Sequence, residues 1–180
     1  IDISFICSLH SQRLLVLEKI EDYVLKNKLR ILSHVYVGRP SFFIVEKYIN
    51  KNPLYQFDAD KVKFQKLSLL ETNAIYDQSF AILDYKFPEQ NGLTMRSIEA
   101  LGHRCKLITN NRNIINEPFY NTNNIYIYDY EDVKNSGFNI PPEFFSTPYQ
   151  DVPEDILYRY TIDGWIDDIF GKQQQEHTQC

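Results

Sequence analysis

Over residues 2–7 (DISFIC) apolar and polar positions alternate and then run together, the pattern of a strand buried on both faces. Leu14, Leu17, Ile20, Val24 and Leu25 then recur at steps of three and four, with Glu18, Lys19 and Glu21 opposite, which predicts an amphipathic helix. The alternation continues with a strand at 30–37 (RILSHVYV), a turn at Gly38-Arg39-Pro40, a helix at 41–48 and a polar connector at 51–60. Ser68 with Glu71 three residues on has the reciprocal capping pattern, and it sets Leu69, Leu70, Ala74 and Ile75 on an inward face.

A short apolar strand at 80–83 leads into Asp84, a loop at 85–91 and Gly92. A helix at 93–101 follows, stopped by Gly102, and strands are expected at 105–109 and 125–128. The last helix is expected from Thr161 to Phe170 with Trp165, Ile166 and Ile169 on one side, leaving 172–180 as a frayed tail.

Short apolar strands alternating with helices imply an α/β fold, a Rossmann-like open parallel sheet with helices on both faces, spanning 1–171 as one domain. Such sheets take ligands at the carboxyl ends of their strands, which points to residues 8–13, 38–41 and 85–96.

Composition narrows the field. The 180 residues suffice for one substantial core, and 43% hydrophobic with 24% charged residues excludes a disordered chain. Thirteen Tyr and twelve Phe supply large flat side chains for a core or a cleft, core being the better assignment for the aromatic run 120–130. A net charge of −5 argues against a nucleic-acid partner. No apolar run approaches the roughly eighteen residues of a spanning helix, so any membrane association is peripheral. Cys7, Cys105 and Cys180 lack metal spacing and no leader precedes them, so the expected setting is cytoplasmic and reducing. The start at Ile1 rather than Met suggests a piece of something longer.

The stretch 81–109 (AILDYKFPEQNGLTMRSIEALGHRCKLIT) concentrates the candidate chemistry. Gly92 allows close backbone approach, and the N–H groups of Leu93, Thr94 and Met95 open a helix, which favours an anion. Thr94 adds a hydroxyl, Arg96 a fork suited to phosphate oxygens, and Glu99 follows one turn later. Asp84 stands at a strand's carboxyl end. His10 and Arg13 come from the first loop and helix, within reach of the same region. Asp58-Ala59-Asp60 is a paired-carboxylate triplet, but it lies in a polar connector, and no metal is expected.

GLTMRSIEALG followed by KLITNN resembles the nucleotide-sugar-binding half of GT-B-type glycosyltransferases, nearest to bacterial enzymes building lipopolysaccharide or capsule. FICSLHSQR resembles the opening strand and loop of that domain, and YTIDGWIDDIF its C-terminal helix. The resemblance implies that Gly92 and Thr94 form the diphosphate loop, that Glu99 holds the ribose and that Arg13 reaches a phosphate. It implies sugar transfer from a nucleotide-diphosphate donor, most commonly a UDP-sugar, to a glycan or lipid-linked glycan acceptor, without a metal cofactor. An N-terminal acceptor domain is not within this chain. Asn91 stands where retaining relatives carry a second glutamate, and Cys7-Ser8 where glycine is usual, which leaves the stereochemistry open. The rival from another class is a non-catalytic nucleotide-binding or regulatory domain that kept the fold.

Overall fold

The computed structural model describes residues 1–9, 12–52, 55 and 59–176. Six parallel strands form one sheet: β1 (Ile3–Ser8), β2 (Ile31–Tyr36), β3 (Val62–Lys63), β4 (Ala81–Leu83), β5 (Lys106–Thr109) and β6 (Ile125–Ile127), in the order β3-β2-β1-β4-β5-β6. The chain winds outward from β1 to β3, then returns to β1's other side for β4 and winds the opposite way. Between β1 and β4 the strand order reverses, and there the connections diverge and open a crevice at the carboxyl ends. The architecture is the Rossmann-like α/β fold expected.

The helices are α1 (Arg13–Asn27), α2 (Pro40–Ile44, prolonged by a wide turn at Val45–Ile49), α3 (Leu69–Tyr76), α4 (Met95–Gly102), α5 (Tyr130–Ser136), α6 (Pro142–Ser146), α7 (Glu154–Tyr158) and α8 (Ile162–Glu176). Successive side chains along a strand leave opposite faces. In β1, Ile3, Phe5 and Cys7 accordingly join α1, through Leu14, Leu17 and Ile20, in one core. Ile6 joins Tyr76, Ile82, Leu101 and Leu107 in the other. Lys106 of β5 is wholly buried: its Nζ donates to the Phe144 carbonyl (2.7 Å) and to Thr147 Oγ1 (2.9 Å), which latches α6 to the sheet.

Sequence and structure part at several places: the sequence pattern does not predict α5, α6 and α7, and α4 starts at Met95 and includes Gly102 instead of spanning 93–101. Strand β3 falls just past the connector, where two residues give periodicity too little to act on. Leu69, Leu70 and Ala74 point outward, whereas Ile75 packs half-buried against the core as expected, beside the buried Tyr76 at the far end of α3. The capping box at Ser68 and Glu71 is present as expected. The final helix runs on to Glu176, through part of the segment expected to fray. Its Trp165, Ile166 and Ile169 do share one side, but that side is exposed, Trp165 by 63%. Among the described residues no helix is long and apolar enough to cross a membrane.

Gly164 is the buried position of α8's first turns, and a Cβ there would meet the Tyr158 carbonyl oxygen at 1.9 Å. Neighbouring backbone cannot yield as a flexible side chain would. Gly164→Ala is expected to lower stability by about 1–3 kcal/mol, measured by denaturant unfolding. Gly92→Ala is the matched control, since a Cβ at Gly92 meets nothing within 4 Å; its expected change is below about 0.5 kcal/mol.

Candidate functional site

Two clefts flank the carboxyl end of β1. The first, of about 370 Å³, opens over the point of strand reversal and is lined by Ser8, Arg13, Asp84, Phe87, Thr94 and Arg96, among others. The second, of about 580 Å³, lies on the β2 side and is lined by His34, Tyr36, Leu67, Thr72, Arg96 and Glu99, among others. Ile6, Cys7, Ser8 and Arg96 belong to both. Arg96 is thus in the wall between them.

The β1–β4 ladder runs only as far as Ser4 opposite Ile82. Further along, the Ile6 carbonyl accepts from Arg96 Nε (3.1 Å) and Nη2 (3.0 Å). Nη1 of the same guanidinium donates to Glu99 Oε2, one helical turn away. Its carbon lies 5.9 Å from the centre of the Tyr76 ring. Arg96 therefore ties α4 to β1 while keeping a half-buried cation against both clefts. Neighbouring Glu99 and Asp84 help to hold its charge against the cost of burial.

Asp84 is 3% exposed. Its Oδ2 accepts from Thr94 Oγ1 (3.0 Å) and Thr109 Oγ1 (2.8 Å). Its backbone N–H donates to the Ile108 carbonyl (2.8 Å), and its own carbonyl accepts from the Tyr128 hydroxyl (2.9 Å). Burial pushes its pKa above the usual aspartate value, opposed by the two hydroxyls and then by Arg96 and Arg13. Asp84 is the anchor beneath the site, not an exposed base.

Thr94 caps α4: its hydroxyl accepts from the Ser97 N–H (3.3 Å) while donating to Asp84. With the hydroxyl committed inward, what α4 offers the first cleft is its amino-terminal backbone, with the favourable end of the helix dipole. Leu93 packs half-buried against the core, and Gly92 is exposed with open space around its Cα. Arg13 is the first residue of α1; its Nη1 donates to the Ser8 carbonyl (3.2 Å), and its guanidinium lies 5.2 Å from the Phe87 ring centre. Burial draws its pKa below the ordinary arginine value, and Cys7 and Asp84 act in the other direction. Between these cations the Cys7 thiol is nevertheless pushed up to about 12 by burial, so it is no nucleophile.

Arg13, Asp84, Thr94 and Arg96 thus meet in the first cleft, and Glu99 faces the second. Gly92 and Leu93 approach along the β4–α4 loop without lining either. The sequence 38–41 also lines neither, and the β3–α3 connection at 66–68 takes its place. His10 and Asp58 lie outside the described residues; Asp60 is exposed beside β3.

Three asparagines at the end of β5 escaped the sequence reading as site residues. Asn110 Oδ1 accepts from the Lys86 N–H (2.6 Å) and its Nδ2 donates to the Lys86 carbonyl (3.0 Å). Asn111 Nδ2 donates to the Gly92 carbonyl (3.2 Å), and Asn113 Nδ2 to the Asn91 carbonyl (2.8 Å). Together they fasten both ends of the loop that borders the first cleft. The available signal was three carboxamides within four positions after a buried strand, where such side chains satisfy loop backbone.

No protein-family model matches this chain, and no curated protein matches it.

Proposed function

We propose that the paired clefts bind a nucleotide-diphosphate sugar, and that the chain is the donor-binding domain of a glycosyltransferase building a bacterial surface glycan, lipopolysaccharide or capsule. The observation that carries this reading is Arg96 standing between two unlike compartments at the point of strand reversal. On one side are Arg13 and the amino end of α4, suited to a diphosphate. On the other are Tyr36, His34, Leu67 and Glu99, which supply flat, apolar and hydroxyl-accepting surfaces suited to a nucleoside. The resemblance of GLTMRSIEALG to the donor loop and helix of GT-B enzymes supplies the reaction class.

In such a transfer this domain's work is electrostatic. Charge gathers on the departing diphosphate as the glycosidic bond breaks, and fixed donors aimed at that charge lower the barrier more than they bind the ground state. Arg13, Arg96 and the α4 backbone are those donors, and no metal is needed for the task. The base for the acceptor hydroxyl would come from a second domain.

A non-catalytic nucleotide-binding domain is the second reading. What favours it is that Asp84 and Glu99, the carboxylates lining the clefts, are both already engaged by donors of this chain. Sugar transfer by the full-length protein separates the two.

The test is calorimetric titration of the chain with UDP, GDP, ADP and CMP, with and without Mg²⁺. Saturable binding of one nucleotide is expected, indifferent to Mg²⁺ and weakened about tenfold by Arg13→Ala, the loss of one charge-assisted contact. A Mg²⁺ requirement would instead direct attention to Asp58 and Asp60. Failure of all four nucleotides to bind would end the donor-site reading.

A further inference from the structure

We propose that the surface formed by α2, its wide turn and β3 is a docking face for an anionic lipid bilayer. This inference is independent of the nucleotide reading.

Along α2 and its turn only Phe43 is buried, stacked edge-on to Phe64 at 5.7 Å. The remaining apolar side chains face out: Phe42 (50% exposed), Ile44 (52%), Tyr48 (62%) and Ile49 (71%). So many large apolar groups within one short helix is more than the isolated exposed leucine expected of any surface.

Charge decides what covers them. Residues 39–66 carry six cations and three acids, whereas the whole chain has a net charge of −5. This segment is therefore net +3 and the rest of the chain net −8, although Lys61 is paired with Glu21 of α1 (2.6 Å), which leaves the exposed cations to meet a bilayer. Arg39 precedes α2, Lys51 follows its turn, and Lys63 and Lys66 flank Phe64, which packs on Phe43; all four are exposed. Glu46, the acid within the helix, is held by the side-chain amides of Asn50 (2.9 Å) and Asn52 (2.7 Å). Exposed aromatic and aliphatic side chains flanked in sequence by exposed cations, on an otherwise acidic molecule, suit a negatively charged bilayer: the aromatic rings enter the headgroup boundary and the cations meet lipid phosphates.

The exposed face of α8 differs in the property that matters. It is equally apolar, but Asp163, Asp167 and Asp168 accompany it, so anionic lipid would repel it. The two faces thus provide their own control.

The experiment is vesicle co-sedimentation of the 180-residue chain with phosphatidylcholine alone and with equal parts phosphatidylglycerol, at low and high salt. Binding only to the phosphatidylglycerol vesicles, reduced by salt, is expected. Arg39→Glu with Lys63→Glu should weaken it by more than about fivefold per site, the factor that roughly 1 kcal/mol per surface cation corresponds to. Phe42→Ser with Ile49→Ser should weaken it comparably, and Trp165→Ser with Ile169→Ser should leave it unchanged. All these positions are exposed, and circular dichroism verifies that each variant folds. The proposal is overturned if phosphatidylglycerol confers no binding, or if the α8 pair abolishes binding and the α2 pairs do not. It is also overturned if Phe42→Ser with Ile49→Ser instead dissolves a concentration-dependent dimer seen by sedimentation velocity, which would make the face a protein interface.

Discussion

Replacing Arg96 by alanine is expected to weaken nucleoside diphosphate binding about a hundredfold and to lower stability by about 2 kcal/mol. The affinity loss follows from position. Arg96 is common to the two clefts, so it can meet the diphosphate and the nucleoside at their junction. A charge-assisted hydrogen bond contributes about 1.5–3 kcal/mol, and each 1.4 kcal/mol is tenfold in affinity. The stability loss has a separate origin. Two N–H groups of Arg96 satisfy the Ile6 carbonyl beyond the end of the β1–β4 ladder, and a third satisfies Glu99. Alanine leaves both acceptors without that partner. Arg96→Lys should recover part of the affinity and little of the stability, since an ammonium cannot span Ile6 and Glu99 as a planar fork does. Titration calorimetry and denaturant unfolding on the same variants measure the two quantities separately. If Arg96→Ala binds its nucleotide as tightly as wild type while unfolding more readily, Arg96 is only a brace between α4 and β1.

The elements around Arg96 and the directions of their side chains were unequally legible in the sequence. That 81–109 forms strand, loop and helix could be read directly, because β4 is a dense apolar run and α4 a one-sided helix. The helix starts two residues beyond the expected Leu93, because Thr94 is the cap and not part of the first turn. The parallel sheet followed from the alternation of such units. The direction in which each side chain points did not follow. Thr94 looks like a ligand hydroxyl in sequence, but Asp84 sits ten residues earlier at the end of a neighbouring strand, and only the sheet brings the two to 3.0 Å. Arg96 reads in sequence as a phosphate fork; the structure pairs it with Glu99, yet the guanidinium still lines both clefts. The asparagine clamps are longer-range again, joining residues 19–24 positions apart through loops without periodicity. On α8 the period was right, yet amphipathic spacing identifies a face that is apolar, not whether this chain covers it.

Asp84→Ala is expected to be the most damaging single change to the fold around the site, lowering stability by about 3 kcal/mol. It strands two threonine hydroxyls, opens a void under the clefts and removes the carboxylate that counters Arg13 and Arg96. Asp84→Asn keeps an acceptor oxygen in nearly the same place and should cost less than about 1 kcal/mol at neutral pH. The pH dependence separates the variants further. Burial raises the folded pKa of Asp84 above the unfolded value, about 3.9 for aspartate, so across that interval the native state binds more protons than the unfolded one. Asp84's contribution is therefore fully present below the unfolded pKa and is lost as pH rises through the folded pKa. Asparagine does not titrate. The stability of wild type relative to Asp84→Asn should accordingly rise as pH falls from neutral toward 4 and level off below it, in parallel denaturant titrations at matched salt. The opposite trend, with wild type gaining on Asp84→Asn as pH rises, would mean that the hydroxyls of Thr109 and Thr94, with Arg96 and Arg13 behind them, dominate over burial.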